Sequence, residues 1–228
     1  SALAAHLQRE DVQVRVVGRD SVQHLTQWLV GCSTVIHLAS ATNPGSSAAN
    51  PALEQANLEL TRHLMRCLEA QPDIHLIYFS SGGAVYGNPS QLPVGEDARL
   101  VPLSPYGLSK VTQEAICMKL HTSGHSAVTI LRPSNAYGPG QTLRGGFGLV
   151  RTLLEHARLG TTLEIWGDGE NVRDYLFIDD LINATLQLIH RPQDAGIYNL
   201  GSGIGHSINQ VKQLVEQVTG LQIHADYR

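Results

Sequence analysis

IHLIYFSSGGAVYG, residues 74–87, runs through apolar and aromatic side chains and closes on the small residues Ser80, Ser81, Gly82, Gly83 and Ala84. The first half, IHLIYFS (74–80), reads as a strand. Small residues at the end of a strand let a ligand approach the backbone, and serines there can donate to a substrate oxygen. On either side the same rhythm repeats. TVIHLA (34–39) is a nearly all-apolar run, as a strand covered on both faces should be. AVTILR (127–132) reads as another strand, and VQVRVV (12–17) as a short β-branched one. Helical patterns at 1–10, 21–31, 51–69 and 104–123 alternate with these runs. Strands alternating with helices imply a doubly wound parallel α/β sheet. Right-handed crossovers then bring all strand C-terminal ends to one edge, where ligands bind.

The second half is less regular. A helix is predicted over 145–159, short strands at LEIWG (163–167) and VRDYLF (172–177), and a helix over 179–190. GIYNLGSG (196–203) holds a strand and a tight turn, Ser207 caps a last helix to about Thr219, and LQIHADY reads as a strand. No linker or repeat separates two domains. The expected division is a core over 1–132 and a smaller lobe over 133–228, with segments of the latter returning to the core.

Composition narrows the function. With 42% hydrophobic and 16% charged residues, the chain is too apolar and too weakly charged for disorder. A formal net charge of -4 gives no global attraction to nucleic acid or anionic lipid, so neither is expected as a partner. No apolar run approaches the roughly 18 residues of a membrane span. Cys32, Cys67 and Cys117 are an odd number with no CxxC spacing; they read as small buried hydrophobes in a reducing, cytoplasmic setting. The 11 histidines include no HExxH pair, so no metal is expected.

SPYGLSK (104–110) carries the chemistry. Tyr106 and Lys110 stand four apart, which on a helix puts both on one face. An adjacent ammonium is expected to lower the tyrosine pKa, tuning the phenol for proton exchange with a sugar hydroxyl or carbonyl.

Together with VIHLAS, the Asn57 helix, FSSGGAVYG, RPSNAYGPGQ (132–141) and VRDYLFIDD (172–180), this segment forms an ordered motif set. The set resembles the extended short-chain dehydrogenase/reductases, in the branch of NAD-dependent sugar-nucleotide epimerases and dehydratases. The resemblance implies a Rossmann-like core with an interwoven C-terminal substrate lobe, a bound NAD(P) and a nucleotide-sugar substrate. It implies that Tyr106 is the acid/base and Lys110 its partner, which also holds the nicotinamide ribose. Leu38, Ala39 and Ser40 match the loop under the cofactor, and Asn57 the residue supporting that loop. Ser80, Ser81 and Pro133 match the nicotinamide side. Thr42 and Tyr86 fall at the hexose, Asn135 and Arg173 at the diphosphate, and Trp166 near the uridine. Asn199 and Asp180 read as turn and cap residues as readily as functional ones. Homodimers formed through helices matching 51–70 and 104–123 are common among such proteins.

Several departures refine the expectation. The family's third catalytic residue, a Ser or Thr, aligns with Gly82, so Ser81 or a water takes its place. Dehydratases carry an acidic pair just after that position; here it is Gly83-Ala84, which argues against dehydration. Where NAD enzymes carry an acidic residue at the end of the second strand, this chain has Gly18 followed by Arg19, which suits the NADP phosphate; Asp20 is the other group able to reach the ribose. The family's GxxGxxG turn is not in the sequence. The natural protein is therefore expected to be longer, about 300 residues, and residues 1–228 alone to bind cofactor poorly. The leading expectation is an NAD(P)-dependent nucleotide-sugar 4-epimerase working through a transient 4-keto sugar. An NADPH-dependent ketoreductase and a non-catalytic cofactor-binding protein are the alternatives.

Overall fold

The computed structural model of the chain describes residues 2–8, 12–142 and 148–228, without the side chains of Arg19 and Asp20. Two units divide it: Ser1–Pro133 with Ile182–Leu200, and Ser134–Leu181 with Gly201–Arg228.

The first unit is built on a four-stranded sheet of β1 (Thr34–His37), β2 (His75–Phe79), β3 (Val128–Pro133) and β7 (Ile197–Leu200), in that spatial order. All three pairings are parallel, with Ile36 opposite Ile77, Ile77 opposite Thr129 and Leu131 opposite Tyr198. Parallel strands need crossovers, and helices supply them. The crossovers include α4 (Glu54–Glu69), before β2, and α6 (Pro105–Thr122), before β3. Their buried faces meet Leu76, Tyr78, Val128 and Ile130 in one cluster that also takes in Leu64, Leu68, Cys117 and Leu120. Cys67 and Cys117 are thus buried, as read from the sequence, while Cys32 is half-buried.

Local chemistry sets the helix starts. Ser104 caps α6, its side chain accepting from the Gly107 N–H at 3.1 Å, with Pro105 in the first turn. Asn43 and Ser46 form a capping box for α3 (Pro44–Ala49), a helix the sequence reading did not anticipate. A second unanticipated helix, α5 (Gly82–Val85), forms in the small residues that follow β2.

The expected strand at 12–17 is not formed. Residues 12–18 have no ladder partner among the described residues, and β1 is paired only with β2. A β-branched run makes a strand only where a neighbour accepts its N–H groups. Here Val16 stays 67% exposed, while the Arg15 guanidinium donates to the carbonyls of Trp28 (3.0 Å) and Val30 (2.6 Å). The helix expected over 21–31 is a 3-10 turn, Arg19–His24, followed by α2 (Leu25–Leu29). The expected N-terminal helix is α1 (Ala2–Leu7).

The second unit holds a three-stranded sheet of β4 (Asn135–Tyr137), β6 (Val172–Phe177) and β8 (Gly205–Ser207). A separate pair joins β5 (Leu163–Ile165) to β9 (Ala225–Tyr227). Helices α7 (Leu149–Leu159) and α9 (Ile208–Thr219) close a second apolar cluster of Leu153, Ile165, Val211, Val215 and Ile223. Helix α9 begins on the Ser207 cap read from the sequence and ends at Gly220, whose φ of 70° suits glycine. The predicted start of α7 at 145 lies outside the described residues. Helix α8 (Ile178–Ile189) carries the chain from one unit into the other. Among the described residues no helix is long and apolar enough to cross a membrane.

Candidate active site

In the first unit, β2 leads into Ser80 and Ser81, and α6 presents Tyr106 and Lys110 one turn apart on one face. Lys110 is buried. Its Nζ donates to the Phe79 carbonyl at 2.9 Å and lies 5.1 Å from the Tyr78 ring centroid and 5.7 Å from that of Tyr106. The ammonium is thus tied to the end of β2 and stacked over aromatic faces rather than aimed at a phenol oxygen.

That geometry corrects one expectation. The Tyr106 phenol stands above its ordinary pKa: burial pushes it up, the Glu54 charge adds to this, and hydrogen bonding from Ser81 works the other way. Lys110 instead carries the larger shift, pushed down from 10.5 to about 8 by burial, against the opposing charges of Glu54, Cys117 and Glu114. His37, buried and close to Lys110, is pushed down to about 4 and so is neutral near pH 7.

The Lys110 shift has a consequence for stability. Between pH 8 and 10.5 the unfolded chain holds the lysine proton and the folded chain releases it. The unfolded state then binds more protons, so this group makes the fold gain stability as pH rises through that interval. The urea midpoint of the wild type relative to Lys110→Met is expected to climb between those pH values. A difference that stays flat would contradict the shift.

A loop of Leu38–Thr42 follows β1 at the same edge of the sheet. Asn57 holds it: the side-chain oxygen accepts from the Ala41 N–H at 2.6 Å, and the side-chain amide donates to Thr42 Oγ1 at 2.9 Å. Ser40 donates to the Thr42 carbonyl at 2.9 Å. The resemblance had assigned Asn57 this supporting part.

Gly82 stands where a catalytic hydroxyl was expected. A Cβ on it would lie 2.9 Å from the Arg132 carbonyl oxygen and 3.2 Å from that of Pro133. Both are backbone atoms and cannot swing aside. Gly82→Ser is therefore expected to destabilise the chain by about 1–3 kcal/mol and to leave turnover no higher. A variant with raised kcat and an unchanged melting temperature would show that the position tolerates a side chain.

Tyr86, which the resemblance places at the hexose, is held by other side chains. It is 6% exposed, and its hydroxyl donates to Asn199 Oδ1 at 2.6 Å while accepting from Arg132 Nη1 at 2.7 Å. Arg132 in turn forms a buried two-pronged pair with Glu114 of α6, at 3.0 and 2.7 Å. The sequence reading missed Glu114. Its signal was a carboxylate one turn beyond Lys110, on the face that Gln113 and Cys117 bury.

In the second unit, Asn135 donates its side-chain amide to the Asp174 carbonyl at 2.9 Å. Arg173 is exposed; its Nη1 donates to Asn171 Oδ1 at 2.8 Å and to the Val172 carbonyl at 2.9 Å. Trp166 is 77% exposed. Asp174, which the reading passed over, accepts from Ser134 Oγ (2.7 Å) and from the N–H groups of Ser202 (2.9 Å) and Gly203 (2.7 Å), fixing the turn after β7. The side chain of Arg19 lies outside the described residues. Among the described residues no group of three His, Cys, Asp or Glu stands close enough to hold a metal ion.

The first unit's residues fit the nicotinamide half of a dinucleotide. Leu38 offers a 42% exposed apolar side chain at the end of β1, and the buried Ser80 hydroxyl has no hydrogen-bond partner. Gly83 has nothing within 4 Å of where a Cβ would stand, which leaves the backbone open. An apolar face, an unspent hydroxyl and bare backbone at the C-terminal edge of a parallel sheet are what a nicotinamide ring and ribose call for.

Comparison with known proteins agrees. A model of the NAD dependent epimerase/dehydratase family matches residues 1–201. A UDP-arabinose 4-epimerase of Arabidopsis thaliana is 30% identical over 212 residues, covering 85% of this chain and 51% of the relative. The crystal structure of a UDP-glucose 4-epimerase from Thermotoga maritima with UDP-glucose superposes with a TM-score of 0.89 at 26% identity, over 100% of this chain and 81% of that one. A UDP-glucuronic acid 4-epimerase from Bacillus cereus, in complex with UDP-glucuronic acid and NAD, gives 0.84 at 26% identity, over 99% and 73%. The chain spans about half the length of curated plant relatives it matches.

Proposed function

The chain belongs to the NAD-dependent epimerase/dehydratase family, and on that premise we propose that the protein inverts C4 of a UDP-sugar with NAD as its cofactor. The observation that carries the proposal is the Tyr106–Lys110 face of α6 beside Ser81, with Gly83-Ala84 where a dehydratase would carry an acidic pair. Bound NAD supplies the hydride acceptor and donor. The positive charge of the nicotinamide would draw the phenol down from its raised value, and Tyr106, once ionised, would take the proton of the hexose 4-hydroxyl and return it after the 4-keto sugar has turned over. Ser81, the neighbouring hydroxyl, holds the same oxygen in place of a side chain at Gly82. Lys110, anchored on the Phe79 carbonyl, keeps positive charge beneath the phenol and reaches the nicotinamide ribose.

In this proposal residues 1–132 form the cofactor core, with Leu38, Ala39, Ser40, Ser80 and Pro133 against the nicotinamide half. Residues 133–228 mostly form the substrate lobe. Arg173 supplies a forked cation for the diphosphate, which such an anion requires. Asn135 assists it, Trp166 packs on the uracil and Thr42 meets the hexose. Tyr86 is assigned to holding Arg132 rather than to the sugar. The protein works in the cytoplasm as a homodimer through α4 and α6, where Leu53, just before α4, and Leu108 of α6 are exposed.

The test is to incubate the full-length protein with UDP-glucose, UDP-galactose, their N-acetyl forms, UDP-arabinose and UDP-glucuronic acid. Inversion at C4 of at least one, with no net loss of added dinucleotide, is expected. Stoichiometric consumption of NADPH would instead mark a one-way reductase, with Arg19 as the group to test for the NADP phosphate.

A further inference from the structure

Glu54 begins α4 and is only 6% exposed, although a carboxylate is among the side chains most costly to bury. Its Oε2 accepts from the Asn57 side-chain amide at 2.8 Å, one helical turn on. The same Asn57 amide nitrogen donates to Thr42 Oγ1 at 2.9 Å, and the Asn57 oxygen accepts the Ala41 backbone N–H at 2.6 Å. Both amide protons and the amide oxygen are therefore committed.

An amide can also be seated the other way round. Turned over, the Asn57 NH2 group would face the Ala41 N–H, donor against donor. Its oxygen would face the Glu54 carboxylate, acceptor against acceptor. Two acceptors, Glu54 and Thr42, stand on the side where the NH2 group must lie. Thr42 belongs to the loop being held, whereas Glu54 belongs to α4, the helix that carries Asn57.

We propose that Glu54 is a positioning residue for the Leu38–Thr42 loop: by accepting from Asn57 it fixes which way that amide points, and so holds the Ala41 N–H in place. The cofactor consequence rests on the proposed function, because this loop is the surface assigned there to NAD. The loop consequence stands without it. Burial pushes the Glu54 pKa up, but hydrogen bonds from side chains including Thr42 and Asn57 outweigh it and hold the group below the usual carboxylate range. It is thus an anionic acceptor, stronger than a neutral one.

Hydrogen exchange of the backbone amides of residues 38–42, read by mass spectrometry on the full-length protein, tests this. Glu54→Gln keeps an acceptor oxygen, and Glu54→Met keeps the volume without one. In Glu54→Met, exchange at Ala41 is expected to quicken by about tenfold, with β2 and α6 unchanged. The NAD dissociation constant should rise by a similar factor. In Glu54→Gln both readouts should stay within about threefold of the wild type. Unchanged Ala41 exchange in Glu54→Met, or a Gln variant as perturbed as the Met variant, would overturn the proposal. Should Glu54→Met not fold, NMR of the wild type decides: slowly exchanging Asn57 side-chain amide protons support the proposal, and fast ones contradict it. A protein that binds no NAD yet shows the expected Ala41 response would sink the proposed function and leave the positioning role standing.

Discussion

Tyr106→Phe is expected to lower kcat by about 10²–10⁴-fold, with the melting temperature close to that of the wild type. Tyrosine and phenylalanine differ by the hydroxyl alone, so the substitution removes the proton-carrying group and little else. The half-buried ring keeps its place over Lys110, whose Nζ stays bound to the Phe79 carbonyl. Substrate and NAD affinity should therefore change by less than about tenfold. The check is kcat and KM for whichever UDP-sugar is turned over, with equilibrium NAD binding measured in parallel. A variant that keeps more than a tenth of the wild-type kcat would remove Tyr106 from the chemistry.

The second large effect concerns stability. Glu114→Ala is expected to destabilise the fold by about 3–5 kcal/mol. The Glu114 and Arg132 side chains are only 5% and 3% exposed, and both guanidinium prongs are met by carboxylate oxygens. Without Glu114 the Arg132 cation keeps the Tyr86 hydroxyl and the Glu96 carbonyl, neither of which carries its charge partner. An uncompensated charge would then be buried at the end of β3. Glu114→Gln retains hydrogen bonding and should cost less. Urea denaturation of the two variants gives the comparison; equal losses would show that charge is not what the pair contributes. Because the Arg132 and Pro133 carbonyls also crowd Gly82, a disturbed β3 end should carry over to the Ser81–Tyr106 region.

What the sequence revealed and what it hid follow from the range of the interactions. VRDYLF was read as a strand over 172–177 and is β6 with those bounds, because its pattern and flanking turns are local. Ser207 as a helix cap was legible for the same reason. VQVRVV misled, because a strand is a statement about a neighbour, and none pairs with it among the described residues. The Tyr106–Lys110 spacing put both groups on one face as expected. The direction of the tyrosine shift was not legible, since it depends first on burial of the phenol and then on the charge of Glu54, 52 positions earlier in the chain. Nothing local in the sequence marks Glu54 or Glu114 out from other helix carboxylates. Only packing shows that they are buried and bonded, one to Asn57 and one to Arg132.

The central claim is that C4 is inverted by removing and returning the same hydrogen. Proton NMR of UDP-glucose incubated in heavy water with the full-length, NAD-loaded protein tests it most directly, with UDP-arabinose and UDP-glucuronic acid in parallel. At least one sugar is predicted to reach a mixture of C4 epimers with no deuterium at C4. Deuterium entering at C4, or no change of configuration in any of them, would contradict the account.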